Sequence, residues 1–231
     1  MTIENKKTFL LFLEEFADTR NTKIYRGVSS NKYKLIPSIG RDKYKTNDRY
    51  LTEKDEDLIF RYFKQRAQPY LSKNYDDMNL LAIAQHHGLP TRLLDWTFNP
   101  LAATYFAVEK EIIQPNDPSK RIEHSLIYIY NKSFNAFINK SFKTIKVDKV
   151  EFFIPNFNDD RIINQNGLFT IHPYPWIEEY NSPDLSTVII DLSYRRELRK
   201  LLNRMGVNQA TIYPGLDGIA GHIKWMETNY Y

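Results

Sequence analysis

Arg26 closes an apolar run, Ile24-Tyr25-Arg26-Gly27. A guanidinium there can project into a cleft beside a bare glycine backbone. Its planar fork suits bidentate binding of a phosphate or carboxylate, or an ion pair that ties the strand end to a helix. More polar chemistry is packed into LAIAQHHGLPTRLLDWTFNPLAATYFA, from Leu81 to Ala107. His86 and His87 are adjacent, so on a helix they point about 100° apart. A regular helix cannot aim both at one metal, and neither HxxxH nor HxH occurs, so no metal site is expected. One histidine reads as a polar anchor or a ligand contact at the helix end. Thr91, Arg92, Asp95 and Thr97 follow. Arg92, Asp95 and Thr97 are read as the polar face of an extended segment, with Leu94 and Trp96 on the other face. The polar groups brace the strand or meet a ligand, with Trp96 or Tyr25 as a stacking wall.

Two further places carry candidate chemistry. Asn164, Gln165 and Asn166 precede GLFTIHP. Their amides can read an amide or a base edge through paired donors and acceptors, or simply form a turn. Glu151 in VEFFIP is a Glu inside a predicted strand, and so a candidate acid or a surface position. Asp217 lies in IYPGLDGIAGHI, which reads mostly as a helix start held by a tight turn. No Ser-His-Asp order and no nucleophile elbow is present.

The elements that must position these residues follow from periodicity and punctuation. Residues 5–19 read as a helix with Leu10, Leu11, Leu13 and Phe16 among its apolar positions. TKIYRG, 22–27, reads as a strand, and 28–50 as a basic, loop-rich stretch. Residues 53–68 give an amphipathic helix with Leu58, Ile59, Tyr62 and Phe63 on its apolar side. A helix from Asp76 to His87 ends at Gly88 and Pro90. Asn99 and Pro100 start the next, as cap and first residue. TRLLDWT, 125–131, 149–155, 167–173 and 186–192 read as strands, 194–204 as a basic helix, QATIYP as a last strand and 215–226 as a last helix. The expectation is a single α+β domain with about six strands in a mixed or antiparallel sheet flanked by helices. Strict βαβ alternation is absent.

The chain has 231 residues, 42% of them hydrophobic, which suffices for a substantial core. It has no cysteine, which excludes disulfides, thiolate nucleophiles and Cys-bound metals. Neither GxGxxG nor GxxxxGK[ST] occurs, so no glycine-rich phosphate loop is expected. The net charge of +4 permits a nucleic-acid partner without demanding one. The N-terminal segment reads as an amphipathic helix and not a signal peptide, and no apolar stretch is long enough to span a bilayer. A cytoplasmic protein is expected, with no membrane partner.

Four blocks in order, YRGVSSNKYKLIPSIGR, AQHHGLPTRLLDWTFNPLAATYFA, RIINQNGLFTIHP and GVNQATIYPGLDGIAGHI, resemble the FRG domain family, named for its aromatic-Arg-Gly triplet, here Tyr25-Arg26-Gly27. The resemblance spans roughly residues 22–225, leaving 1–21 as an N-terminal helix packed on a domain over 22–231. A more distant similarity to the ADP-ribosyltransferase fold implies NAD as a substrate and no metal. Arg26 would be catalytic and grip NAD, while Tyr25, Gly27, His86, Thr91, Arg92, Trp96 and Thr97 would line its site. Gln165 would serve the ribose. Gly167 stands where that fold places a Glu, so Glu151, Asp95 or Asp217 is expected to supply the carboxylate. The resemblance implies a toxin or phage-defence effector acting on RNA, DNA or protein, restrained by an antitoxin or another regulatory protein. A non-catalytic nucleotide- or RNA-binding module, or a nuclease, is the alternative.

Overall fold

Alternating and continuous apolar runs pair here into one mixed sheet. The computed structural model describes residues 1–17, 23–44, 49, 51–71, 74–131, 145–156, 160–176 and 182–229. Its strands are β1 (Thr2–Ile3), β2 (Lys23–Val28), β3 (Leu93–Thr97), β4 (His124–Asn131), β5 (Glu151–Phe153), β6 (Gly167–Ile171) and β7 (Leu185–Asp191). They form a seven-stranded sheet in the order β1-β7-β4-β2-β3-β6-β5. β1 runs parallel to β7, and every other neighbouring pair is antiparallel. The helices are α1 (Lys6–Phe16), α2 (Glu53–Ala67), α3 (Asp77–His86), α4 (Pro100–Val108), α5 (Asp160–Gln165), α6 (Arg195–Arg204), α7 (Gln209–Ile212) and α8 (Leu216–Asn229). The α+β expectation and the mixed sheet hold.

Some expectations are corrected. QATIYP is not a strand: its first four residues form α7, because Asn208 accepts hydrogen bonds from the Ala210 and Thr211 amides while the Thr211 hydroxyl accepts one from the Asn208 amide. That reciprocal cap commits the segment to a helical turn. In α1 the buried residues are Phe9 and Phe12, while Leu10 and Leu11 are exposed. In α2, Leu58 and Tyr62 are exposed, and Glu56 and Phe60 turn inward. An ion pair joins the packing of Phe60 and Phe63 on the inward face of α2. Glu56 accepts from Arg92 Nη2 at 2.6 Å, from Nε at 2.8 Å and from the Arg92 amide at 3.1 Å. Both side chains are 3% exposed, so the two charges have little but each other to replace water.

One face of the sheet carries the core of Ile3, Tyr25, Ile127, Ile129, Val188 and Ile190 under α1, α4 and α6. Leu93, Phe153, Phe169 and Ile171 pack with α2 and α3. Trp96, Tyr130, Phe152, Ile24, Leu94 and Leu168 make a third, aromatic cluster. Arg195, buried at the start of α6, donates to the Ala107 and Lys110 carbonyls at 2.5 Å each, to the Ser29 carbonyl at 3.4 Å and to the Ser125 hydroxyl. Its charge thus sits at the carbonyl end of α4, where the helix dipole favours a cation. Burial pushes its pKa down to about 10.

A polar chain crosses the aromatic cluster. The Trp96 indole N–H donates to the Thr170 hydroxyl at 2.9 Å, and that hydroxyl lies 2.9 Å from His172 Nε2. With its own proton turned toward His172, Thr170 completes the chain when His172 is neutral. Burial, and then the charge of Arg26, push the His172 pKa down to about 4.

Two stability measurements follow. Removing Glu56 by Glu56→Ala leaves Arg92 buried beside an empty space, and chemical denaturation should register a loss of about 3–5 kcal/mol. For His172 the unfolded chain takes up the proton first, since the folded pKa is lowered. Stability should therefore fall as pH drops from about 6.5 toward about 4, by about 3 kcal/mol at most. In His172→Gln this part of the pH dependence should vanish; an unchanged slope would show that other groups cause it.

Candidate functional site

The sheet is open at one seam. β2 and β4 are paired over six registers, from Lys23 opposite Asn131 to Val28 opposite Leu126. β2 and β3 meet at one register, Tyr25 opposite Thr97. Continuing that antiparallel ladder would bring Gly27 opposite Asp95. Instead the Arg26 guanidinium enters the seam, and its Nη1 donates to the Asp95 carbonyl at 2.6 Å. A side chain thus satisfies a strand carbonyl that the ladder leaves over. Asp95 Oδ2 lies 3.4 Å from the same nitrogen. Burial lowers the Arg26 pKa, Asp95 opposes that shift, and Arg41 adds to it.

A cleft of about 410 Å³ occupies this opening. Its polar walls are Arg26, Arg41, Gln85, His86 and Asp95, with Tyr33 and Tyr44 beside them. Asp95 is held in place: Gln85 Nε2 donates to Oδ1 at 2.8 Å, and the Thr91 hydroxyl holds the other end of that amide. Its carboxylate is still 61% exposed. The arrangement presents two guanidinium groups, the carboxylates of Asp95 and Glu109, an amide and aromatic planes to one volume. It can bind a diphosphate, stack a ring and stabilise a developing positive charge.

Gly27 lines the cleft, but a closer contact requires it to be glycine. A Cβ at this position would stand 1.8 Å from the Ala103 carbonyl oxygen and 2.7 Å from the Ala107 nitrogen. The backbone of α4 therefore lies directly on that of β2.

The remaining predicted residues divide by what their side chains touch. Tyr25 is 1% exposed, sits in the core under α4, and donates its hydroxyl to the Phe16 carbonyl at the end of α1. It also borders the cleft, as Trp96 and Thr97 do. Trp96 is likewise committed to the aromatic cluster. Arg92 does not share a face with Asp95 and Thr97. It lies three positions before Asp95, so strand alternation puts it on the other side, against Glu56. The Thr97 hydroxyl donates to the Gln165 carbonyl and accepts from the Asn99 amide, locking the end of β3. The Gln165 side chain donates to the Ile212 carbonyl at 3.1 Å, so it ties α5 to α7 although the residue borders the cleft. Thr91 is fully buried; its amide donates to the Ser38 hydroxyl, and its carbonyl accepts from that hydroxyl and from the Ile39 amide of the 38–39 turn. His86 lines the cleft, and its ring meets His87 edge-on at 5.1 Å.

Glu151 stands apart, on the edge strand β5 and separated from β3 by β6, with Lys149 at 3.8 Å. Of the expected acids, Asp95 alone lines this cleft. Arg41, Tyr33, Tyr44 and Gln85 were not singled out by the sequence. The first three lie in a stretch read as basic loop, and nothing in their spacing marked the folding of that loop over the β2–β3 seam. No group of three or more His, Asp or Glu able to hold a metal occurs among the described residues. No described helix is long and apolar enough to cross a membrane.

No curated protein and no solved structure matches the chain. The family model of the FRG domain matches residues 21–115, a span that contains the opened seam, Arg26, Arg41, Gln85 and Asp95. That span, with the Tyr25-Arg26-Gly27 triplet at its head, is similar to the FRG domain.

Proposed function

We propose that the cleft binds NAD and that the chain is an NAD-dependent ADP-ribosyltransferase. The observation that carries this reading is the pair Arg26 and Arg41 in a cleft built on a split sheet, with a fixed carboxylate between β2 and α3. Two guanidinium groups match the two phosphates of a dinucleotide. Tyr33, 55% exposed at the cleft, offers a plane to one of its rings. Asp95 replaces the acid missing at Gly167. Its carboxylate supports the positive charge that develops on the ribose as nicotinamide leaves. Arg26 has a double role: it holds the seam open and contacts the diphosphate. The ADP-ribosyltransferase-like fold belongs to the same proposal, with the β2–β3 opening as the donor site.

The effector role implied by the family resemblance is part of this reading. A transferase loose in a bacterial cell modifies an acceptor until an antitoxin or a similar protein restrains it. The runner-up, a binding module for nucleotides or RNA, uses the same cations and tyrosines without turning NAD over.

Incubating the purified chain with labelled NAD and a cell extract separated into protein, DNA and RNA tests this. Label should appear on one fraction and fall at least 10²-fold with Arg41→Ala and with Arg26→Ala, each shown to be folded by circular dichroism. Expression in bacteria should be toxic for the wild type and tolerated for Arg26→Ala. NAD neither bound nor consumed by folded wild-type protein would sink the proposal and favour the binding module.

A further inference from the structure

A second cavity, of about 710 Å³, adjoins the first. Lys110, Arg199, Gln209 and Asp217 line it, and it shares His86, Glu109 and Lys110 with the β2–β3 cleft. The two volumes therefore meet at the carbonyl end of α4. Glu109, the C-cap of α4, is an acid that borders both. Its position is fixed from the second cavity: the Tyr213 hydroxyl donates to Glu109 Oε2 at 2.8 Å, and the Tyr213 ring packs edge-on against Phe106 at 6.3 Å.

Arg199 is also fixed. Its guanidinium lies 4.6 Å from the centre of the Trp225 ring. It belongs to α6, whose sequence RRELRKLLNR brings Arg196, Lys200 and Arg204 to the same helix. Two cations in the cavity, a basic helix beside it, the Gln209 amide and a net charge of +4 suit a phosphodiester chain with a base to be read.

We infer that the two cavities are the donor and acceptor halves of one site, that the second seats a nucleotide of a nucleic acid, and that Glu109 takes the proton this acceptor loses. The inference rests on the NAD reading of the first cleft. In the step, a base nitrogen of the acceptor attacks C1′ of the nicotinamide ribose. The bond from C1′ to the nicotinamide nitrogen breaks, and nicotinamide leaves neutral with the bonding pair. The acceptor nitrogen gives its proton to the Glu109 carboxylate, which returns it to water. Asp95, from the first cleft, stabilises the charge on the ribose, so the two acids have separate tasks.

The test uses the full chain, labelled NAD, mixed-sequence single-stranded DNA and RNA oligonucleotides and, in a parallel arm, the protein fraction of a cell extract. It reads how consumed NAD divides between label on the oligonucleotide and free ADP-ribose. Wild type should label one oligonucleotide. Gln209→Ala and Arg199→Gln, each checked for folding by thermal melting, should lower the ratio of transfer to hydrolysis at least tenfold. Glu109→Gln should slow transfer on the order of 10²-fold. An unchanged ratio in both folded cavity variants overturns the inference and leaves the NAD reading standing. Label on added protein and on neither oligonucleotide overturns the nucleic-acid assignment. Full transfer by Glu109→Gln removes its role as base. Wild type that neither binds nor consumes NAD fails the proposed function itself, and the inference with it.

Discussion

The hydrogen bond from the Arg26 guanidinium to the Asp95 carbonyl sits where the β2–β3 ladder stops after one register. Neighbouring antiparallel strands ordinarily consume each other's amides and carbonyls. Here a long cationic side chain substitutes for the ladder at one residue, and the strands diverge beyond it. The same guanidinium reaches the Asp95 carboxylate, which Gln85 holds from α3. Opening, charge and orientation of the acid thus share one residue. One guanidinium nitrogen, Nη1, serves both the carbonyl and the carboxylate of Asp95.

The elements around that opening are anchored by buried polar contacts as well as by apolar packing. Glu56 and Arg92 fix α2 against the start of β3. Arg195 draws the carbonyl end of α4 toward β2 and β4. Thr91 binds the 38–39 turn and the Gln85 amide, so the loop bearing Arg41 and the helix bearing Gln85 are tied to one buried threonine. Such contacts are directional. They specify where an element sits to within a hydrogen bond, which greasy packing alone does not.

Most elements were legible in the sequence, because period and punctuation are local signals. Asn99-Pro100 announces α4, and STVIIDL announces β7. Asn208 and Thr211 form a cap that competes with the strand-like pattern of QATIYP, and the cap wins. The faces of α1 and α2 were less legible. Leu10 and Leu11 look more like core than solvent surface, and no local rule tells that Glu56 will be buried against a residue 36 positions away. In the site, Arg26 and Asp95 were visible as chemistry. The separation of Arg92 from them was not, because a polar residue that braces a strand resembles one that lines a cleft. Arg41, Tyr33 and Glu109 gained their meaning from tertiary placement: a loop folded over a seam and a helix end between two cavities.

The contact at Gly27 gives the molecule an internal gauge. Helix and strand touch backbone to backbone there, with a hydrogen atom as the spacer. Side chains elsewhere in the core can be exchanged for others of similar volume and the layers will breathe to accommodate them. This spacing cannot adjust in that way, since nothing between the two backbones can change size except by growing. The offset from Arg26 on the strand to Glu109 at the helix end is therefore written in main-chain geometry. Substitutions elsewhere in the core leave that offset in place, because main-chain contact at Gly27 sets it.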